Sequence, residues 1–189
     1  MQIFGLGTNQ FTGELPSTLV NWYSLIAFSV RDNMFTGSLP IQLLQGPFIT
    51  FVFASNNFFT GSFDNLVVSS PYLSLLRLDN NMFFGSGLLP AICGKPLVDL
   101  LLAENLFSGT IPPCAGSWVL LEVLDLSLNY FEGSLPSTLG QLSTLDSLVL
   151  HGNRFTGPGN FIEVLLFSVA RFLITISANV FCSGQCVQH

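Results

Sequence analysis

One motif recurs along the whole chain at a fixed distance. The pattern Asn-x-Phe stands at Asn9, Asn33, Asn57, Asn81, Asn105, Asn129, Asn153 and Asn179, so six successive spacings are 24 residues and the last is 26. Gly follows four residues after the Asn in seven of the eight copies, from Gly13 to Gly157. Upstream, the residues five and three before each Asn are apolar every time, as in Val52/Ala54, Leu100/Leu102 and Leu124/Leu126. A spacing of two is the alternation of a strand with one buried face. Another apolar column lies eight residues before the Asn, at Leu25, Ile49, Leu73, Leu97, Leu121 and Leu145. A unit of this length with one short strand cannot bury its own apolar face, so neighbouring units must stack and share a continuous core. The period therefore predicts a solenoid whose short strands line up in parallel.

Composition removes several function classes. Of 189 residues, 49% are hydrophobic and only 8% charged, which excludes a disordered chain. The net charge of −6 provides no basic field to hold a phosphate backbone, so nucleic acid is not an expected partner. A membrane span needs about 20 nearly uninterrupted apolar residues, and the best stretch, Phe161 to Phe181, carries Glu163 and Arg171. No signal peptide is visible, because Met1-Gln2-Ile3-Phe4-Gly5-Leu6 has no basic leader and enters directly on a strand. Solenoid ends need a polar or covered face, so the expectation is a domain lacking its N-terminal cap. Residues 180–189, where Cys182 and Cys186 break the repeat, read as a short C-terminal cap.

Each column has a physical role. The Asn sits where the chain turns inward, and a buried amide there can satisfy backbone groups that the bend leaves unpaired. Rings repeated at one place in successive units can stack, which predicts an interior Phe column. The Gly column predicts a backbone conformation or close approach that a side chain would obstruct. Thr12, Thr36, Thr60, Ser108 and Thr156 precede that Gly, but Phe84 and Glu132 interrupt the hydroxyl column, so local backbone bonding is a simpler use for it than templating ice.

Four copies continue as Gly13-Glu14-Leu15-Pro16, Gly37-Ser38-Leu39-Pro40, Gly109-Thr110-Ile111-Pro112 and Gly133-Ser134-Leu135-Pro136. With the preceding L-x-x-L-x-L-x-x-N-x-F-x-G, the chain resembles the leucine-rich-repeat proteins, specifically the plant-type subclass of receptor-like ectodomains. The resemblance implies an α/β fold: a right-handed solenoid of eight coils of about 24 residues, one domain over 1–189, with a parallel sheet on its concave face. It also implies an extracellular or cell-surface setting, a peptide or protein ligand, and further repeat or signalling segments of a longer chain. Three copies depart from the pattern: Gly61-Ser62-Phe63-Asp64 lacks the Pro, Gly85-Ser86-Gly87-Leu88-Leu89-Pro90 has two extra residues, and Gly157-Pro158-Gly159-Asn160 is loop-like. Since the period survives them, these departures are expected on the outer surface of the coils.

Four cysteines suit disulfides without requiring them. Cys93 and Cys114 fall at nearly the same place on neighbouring coils, within a plausible bridging separation. Their contexts, Ile92-Cys93 and Pro112-Pro113-Cys114, also resemble consecutive repeats of plant receptor-like ectodomains. A bridge and two free buried thiols both fit at this point. Cys182 and Cys186 resemble a C-terminal cap pair. Together with His189 they form C-x3-C-x2-H, three ligands with no second cluster, so no metal or other cofactor is expected. Phosphate loops, nucleophile elbows and kinase signatures are missing from the sequence. His151 with Asp125 one coil away lacks an accompanying nucleophile, so the chain is not expected to be an enzyme.

Function should then reside on the solvent face of the sheet, at the positions six, four, two and one before each Asn and one after it. These 40 positions hold eight of the 16 charged residues. Exposed positions collect charge in any fold, but they also hold Phe51, Phe58, Leu75, Met82, Leu106 and Val149, apolar groups that a solvated sheet does not need. The candidate ligand-binding residues are Arg31, Phe53, Arg77, Asp79, Asp99, Leu101, Asp125, Tyr130, His151 and Arg154. The expected function is a non-catalytic recognition scaffold that binds a peptide or protein on the concave face. Its competitors are ice- or polysaccharide-surface binding through a flat face, and a structural fragment of a longer receptor kinase.

Overall fold

The computed structural model describes residues 2–157 and the strand at 173–175. Eight three-residue strands, Ile3–Gly5, Ala27–Ser29, Phe51–Phe53, Leu75–Arg77, Asp99–Leu101, Val123–Asp125, Ser147–Val149 and Leu173–Thr175, form one parallel sheet in chain order. The register is uniform: Phe28, Val52, Leu76, Leu100, Leu124 and Leu148 pair in sequence as the middle residues of their strands. All six are buried. The 24-residue period thus appears in space as a leucine-rich-repeat solenoid.

The turn after each strand depends on two devices. The residue immediately before the ladder Asn adopts a left-handed backbone in six successive copies: Thr8, Asp32, Asn56, Asn80, Glu104 and Leu128 have φ between 53° and 58°. The seventh copy places Gly152 there, at φ 69°. The Asn side chain then ties the bend. Asn105 is a representative case: Nδ2 donates to the carbonyls of Leu78 (3.0 Å), Leu102 (3.2 Å) and Ala103 (3.1 Å), and Oδ1 accepts the Phe83 N–H at 2.9 Å. Asn33, Asn57, Asn81, Asn105 and Asn129 are buried. Asn9 is exposed, and its side chain donates only to the Leu6 and Gly7 carbonyls within its own coil. Asn179 lies outside the described residues.

Past the Asn, the Phe rings at 11, 35, 59, 83, 107, 131 and 155 stack in a row, with centroids 5.9–6.4 Å apart. A second sheet, which the strand alternation alone does not reveal, takes in Phe83, Phe107, Phe131 and Phe155. Met82–Gly85, Leu106–Gly109, Tyr130–Ser134, Arg154–Thr156 and Thr60–Ser62 form its five strands, while Thr12–Glu14 and Met34–Thr36 pair separately. The repeated Gly lies in or directly after these strands with positive φ, for example 87° at Gly109, a conformation that most side chains resist.

The Pro of the continuation precedes a 3-10 segment in four copies: Ser17–Asn21, Ile41–Gln45, Pro113–Ser117 and Ser137–Gln141. Its fixed φ suits the entry to a helical turn. In the copy with two extra residues, the segment is instead the α-helix Leu88–Ala91. The departures are not confined to the outer surface, a correction to the expectation from sequence. Phe63 is fully buried, edge-on to Phe83 (5.2 Å) and Phe107 (5.4 Å), and Leu88 and Leu89 are also buried. The space left by the missing regular continuation is filled by apolar side chains from the irregular one. Gly87 completes this packing, since a Cβ there would lie 2.4 Å from the Phe63 carbonyl oxygen. Asp64, where other copies carry Pro, accepts hydrogen bonds from the Ser86 N–H and the Ser62 hydroxyl. These bonds, the Ser86 backbone N–H first, hold its carboxyl below the ordinary 3.8. Of the departing continuation at 157–160, only Gly157 is described.

Cys93 and Cys114 are joined by a disulfide across neighbouring coils, with Cα atoms 5.8 Å apart. Cys182, Cys186 and the segment 180–189 lie outside the described residues.

Candidate functional site

On the six strands from Ala27–Ser29 to Ser147–Val149, the side chains on either side of the buried middle residue lie on the solvent face of the sheet. In register, Phe53 is followed by Arg77 and then Leu101, and Phe51 by Leu75, Asp99 and Val123. This pairing puts Arg77 next to both an aromatic ring and a carboxylate. Its guanidinium lies 5.4 Å from the Phe53 ring centroid and forms an ion pair with Asp99. The ring face attracts the cation while the carboxylate neutralises it. The Asp99 side chain is only 13% exposed, so this pair is sheltered more than an ordinary surface pair. The Nε of Arg77 is buried and has no acceptor.

The next row, where the chain leaves the strand, holds Arg31, Ser55, Asp79, Ala103, Ser127 and His151. Ser55 donates to Asp79 at 2.6 Å, and Asp125 accepts both the N–H and the hydroxyl of Ser127, at 2.9 and 2.6 Å. Arg31 sits 3.6 Å from the neighbouring Asp32 carboxylate. His151, at the far end of the row, keeps a buried Nδ1 without a partner. A further line of bonds crosses four coils through the left-handed turn residues: Thr8 and Asn56 donate to Asp32, and Asn80 donates to Asn56. The sequence reading singled out none of Thr8, Asn56 and Asn80; their matched spacing of 24 is the signal that could have found them.

Asn56, Asp79, Asn80, Leu101, Ala103, Glu104 and Asp125 surround a hollow of about 250 Å³ on this face. It contains three carboxylates and no basic group. Beyond it, Met34, Phe58, Met82, Leu106 and Tyr130 form a stripe of exposed apolar side chains, each 41–53% accessible. Arg154 closes that stripe by lying over the Tyr130 ring, 4.7 Å from its centroid.

The fold therefore gathers Phe53, Arg77, Asp99 and Leu101 into one cluster and brings Asp79, Leu101 and Asp125 together at the hollow. Arg31 pairs with its own neighbour, and Tyr130 with Arg154 forms a separate group at the side. Among the described residues, no three His, Cys, Asp or Glu converge to hold a metal ion, and no helix is long and apolar enough to cross a membrane.

Residues 120–142 match the family model for the leucine-rich repeat. No curated protein matches the chain. Many solved structures are similar, three of them as follows. One, of PEPR1 with AtPEP1, is 34% identical over 84% of the chain, with a TM-score of 0.76. The plant peptide hormone receptor RGFR1 in complex with RGF2 is 31% identical over 94% of the chain, with a TM-score of 0.81. The Arabidopsis receptor kinase HAESA, in complex with the peptide hormone IDA and the co-receptor SERK1, is 30% identical over 87% of the chain, with a TM-score of 0.79. The chain spans only 22%, 28% and 28% of those three chains.

Proposed function

We propose that this chain, a leucine-rich-repeat protein resembling plant receptor ectodomains, is a non-catalytic recognition scaffold that holds an extended peptide against the solvent face of its parallel sheet. The reading treats residues 1–189 as one repeat domain of a receptor-like or secreted protein outside the cell, with 180–189 as its cap. The single observation that carries it is the cluster of Phe53, Arg77, Asp99 and Leu101 at the centre of the face. A face that only had to remain soluble would need neither the ring nor Leu101 there. Apolar and aromatic groups beside a fixed cation give a peptide both contact area and a polar anchor. The hollow next to it supplies carboxylates for peptide N–H or basic groups. Peptide-hormone receptors among the similar structures support the same class of ligand.

The test is peptide selection on the folded chain from a phage-displayed library, followed by Kd measurements. Replacing Phe53 and Arg77 together with Ala should weaken the selected peptides at least about tenfold, a loss of about 1.4 kcal/mol. Undiminished affinity of every selected peptide for the double variant would place the binding surface elsewhere.

A further inference from the structure

A second hollow, of about 200 Å³, shares no residue with the sheet face and opens beside the 3-10 segments Ser17–Asn21 and Ile41–Gln45. Trp22, Tyr23, Gln42 and Gln45 line it, together with the buried Leu25 and Leu43. The Trp22 ring is fixed edge-on to Phe4, with centroids 5.2 Å apart. Among the described residues, the indole N–H of Trp22, the Tyr23 hydroxyl and both Gln amides have no hydrogen-bond partner. No lining side chain is charged.

This set of groups selects a ligand by chemistry. A charged ligand would find no counter-charge in the hollow. A purely apolar one would cover the amides and the indole N–H without replacing their bonds to water. A ligand with apolar C–H edges and paired neutral hydroxyls satisfies both: the edges pack on the rings, and the hydroxyls bond to the amides. The volume lies below the roughly 300–1,000 Å³ of sites that engulf a drug-sized ligand, and suits one ring of a longer chain. Two later coils carry exposed rings nine residues before the ladder Asn, the place that Ser24, next to Tyr23, holds one coil earlier: Phe48 is 51% and Tyr72 55% exposed. They continue the aromatic surface along the solenoid.

We propose that the hollow beside Trp22 and Tyr23 binds one ring of a neutral glycan, whose chain continues over Phe48 and Tyr72. The site is separate from the sheet face and does not depend on peptide binding there.

The chain contains two Trp, so its indole N–H region in a ¹⁵N–¹H spectrum has two cross-peaks. Trp118 is fully buried and donates its indole N–H to the Ile92 carbonyl, which makes it an internal control. The full chain is titrated with cellohexaose, with a free oligomannose glycan, and with an oligogalacturonate as the charged control. The expected result is saturable movement of the Trp22 peak in the millimolar range with a neutral glycan, while Trp118 stays fixed. A stronger response to cellohexaose identifies a wall-type glucan, and a stronger response to oligomannose a glycoprotein glycan. Gln42→Ala with Gln45→Ala should weaken binding at least about tenfold without changing the unfolding transition. A Trp22 peak that stays still at about 10 mM of both neutral glycans overturns the proposal. So does an equal or larger response to the oligogalacturonate, or unaltered affinity of the double variant.

Discussion

Replacing Asn105 with Ala isolates what the ladder contributes. Asn105 is 5% exposed and makes four bonds, three to carbonyls and one from the Phe83 N–H. None of the three carbonyls becomes an orphan. Leu78 O still accepts from Asn81, Leu102 O from Asn129, and Ala103 O from the Asn80 N–H. The Phe83 N–H has no such substitute, and a buried donor left unmatched costs about 1–3 kcal/mol. With the weaker loss of the three shared acceptors, the total should be about 2–4 kcal/mol. Asn9 is the control: it is exposed and its side chain bonds only within its own coil, so Asn9→Ala should cost no more than about 1 kcal/mol. Asn105→Asp sharpens the comparison, because it keeps an acceptor for Phe83 but points an anion at three carbonyls. Its folded-state pKa should be raised, so its stability should fall as pH rises above the unfolded carboxyl value of about 4. Urea unfolding followed by circular dichroism measures all three. Equal losses for Asn105→Ala and Asn9→Ala would refute the assignment of the ladder bonds as the source of stability.

Other expectations follow from the same packing. Phe107→Ala removes a buried ring that meets Phe63, Phe83 and Phe131, and should cost about 3–5 kcal/mol in urea unfolding, against about 1 or less for Phe11→Ala at the 45% exposed end of the stack. Replacing Cys93 and Cys114 with Ser opens a loop with a sequence separation of 21 and should lower stability by about 3 kcal/mol, while intact mass should rise on reduction and alkylation of the unsubstituted chain. Asp64 has a lowered folded-state pKa, so its stabilisation is present above the ordinary 3.8 and is lost as pH falls through the lower folded value. Asp64→Asn should therefore melt below the unsubstituted chain at neutral pH, and the difference should shrink in acid.

What could be read in advance was whatever repeats because the core repeats. The strand pair, the Asn and the Phe each face the same neighbours in every coil, so the period exposes them directly. The second sheet left no such trace: each of its strands buries at most the one Phe, too little for an alternation to show, and backbone pairing between coils makes them strands. The left-handed residue before each Asn was also hidden, because Thr8, Glu104 and Leu128 share no chemistry and the turn imposes the conformation on whichever side chain stands there. Likewise, Phe63 gave no sign of burial, since it lies in an irregular copy and takes its place from the neighbouring rings. On the sheet face, the sequence located the candidate positions but not their pairings. The contact of Arg77 with Phe53 and Asp99 depends on the register between coils and on side-chain geometry, as does the meeting of Asp79, Glu104 and Asp125 around one hollow.

A crystal structure of the chain with a peptide selected on it tests most directly whether the sheet face is the recognition surface. The expected result is an extended peptide in contact with Phe53, Arg77, Leu101 and Asp125. A peptide seated on the five-stranded second sheet, with those four side chains left open to solvent, would contradict it.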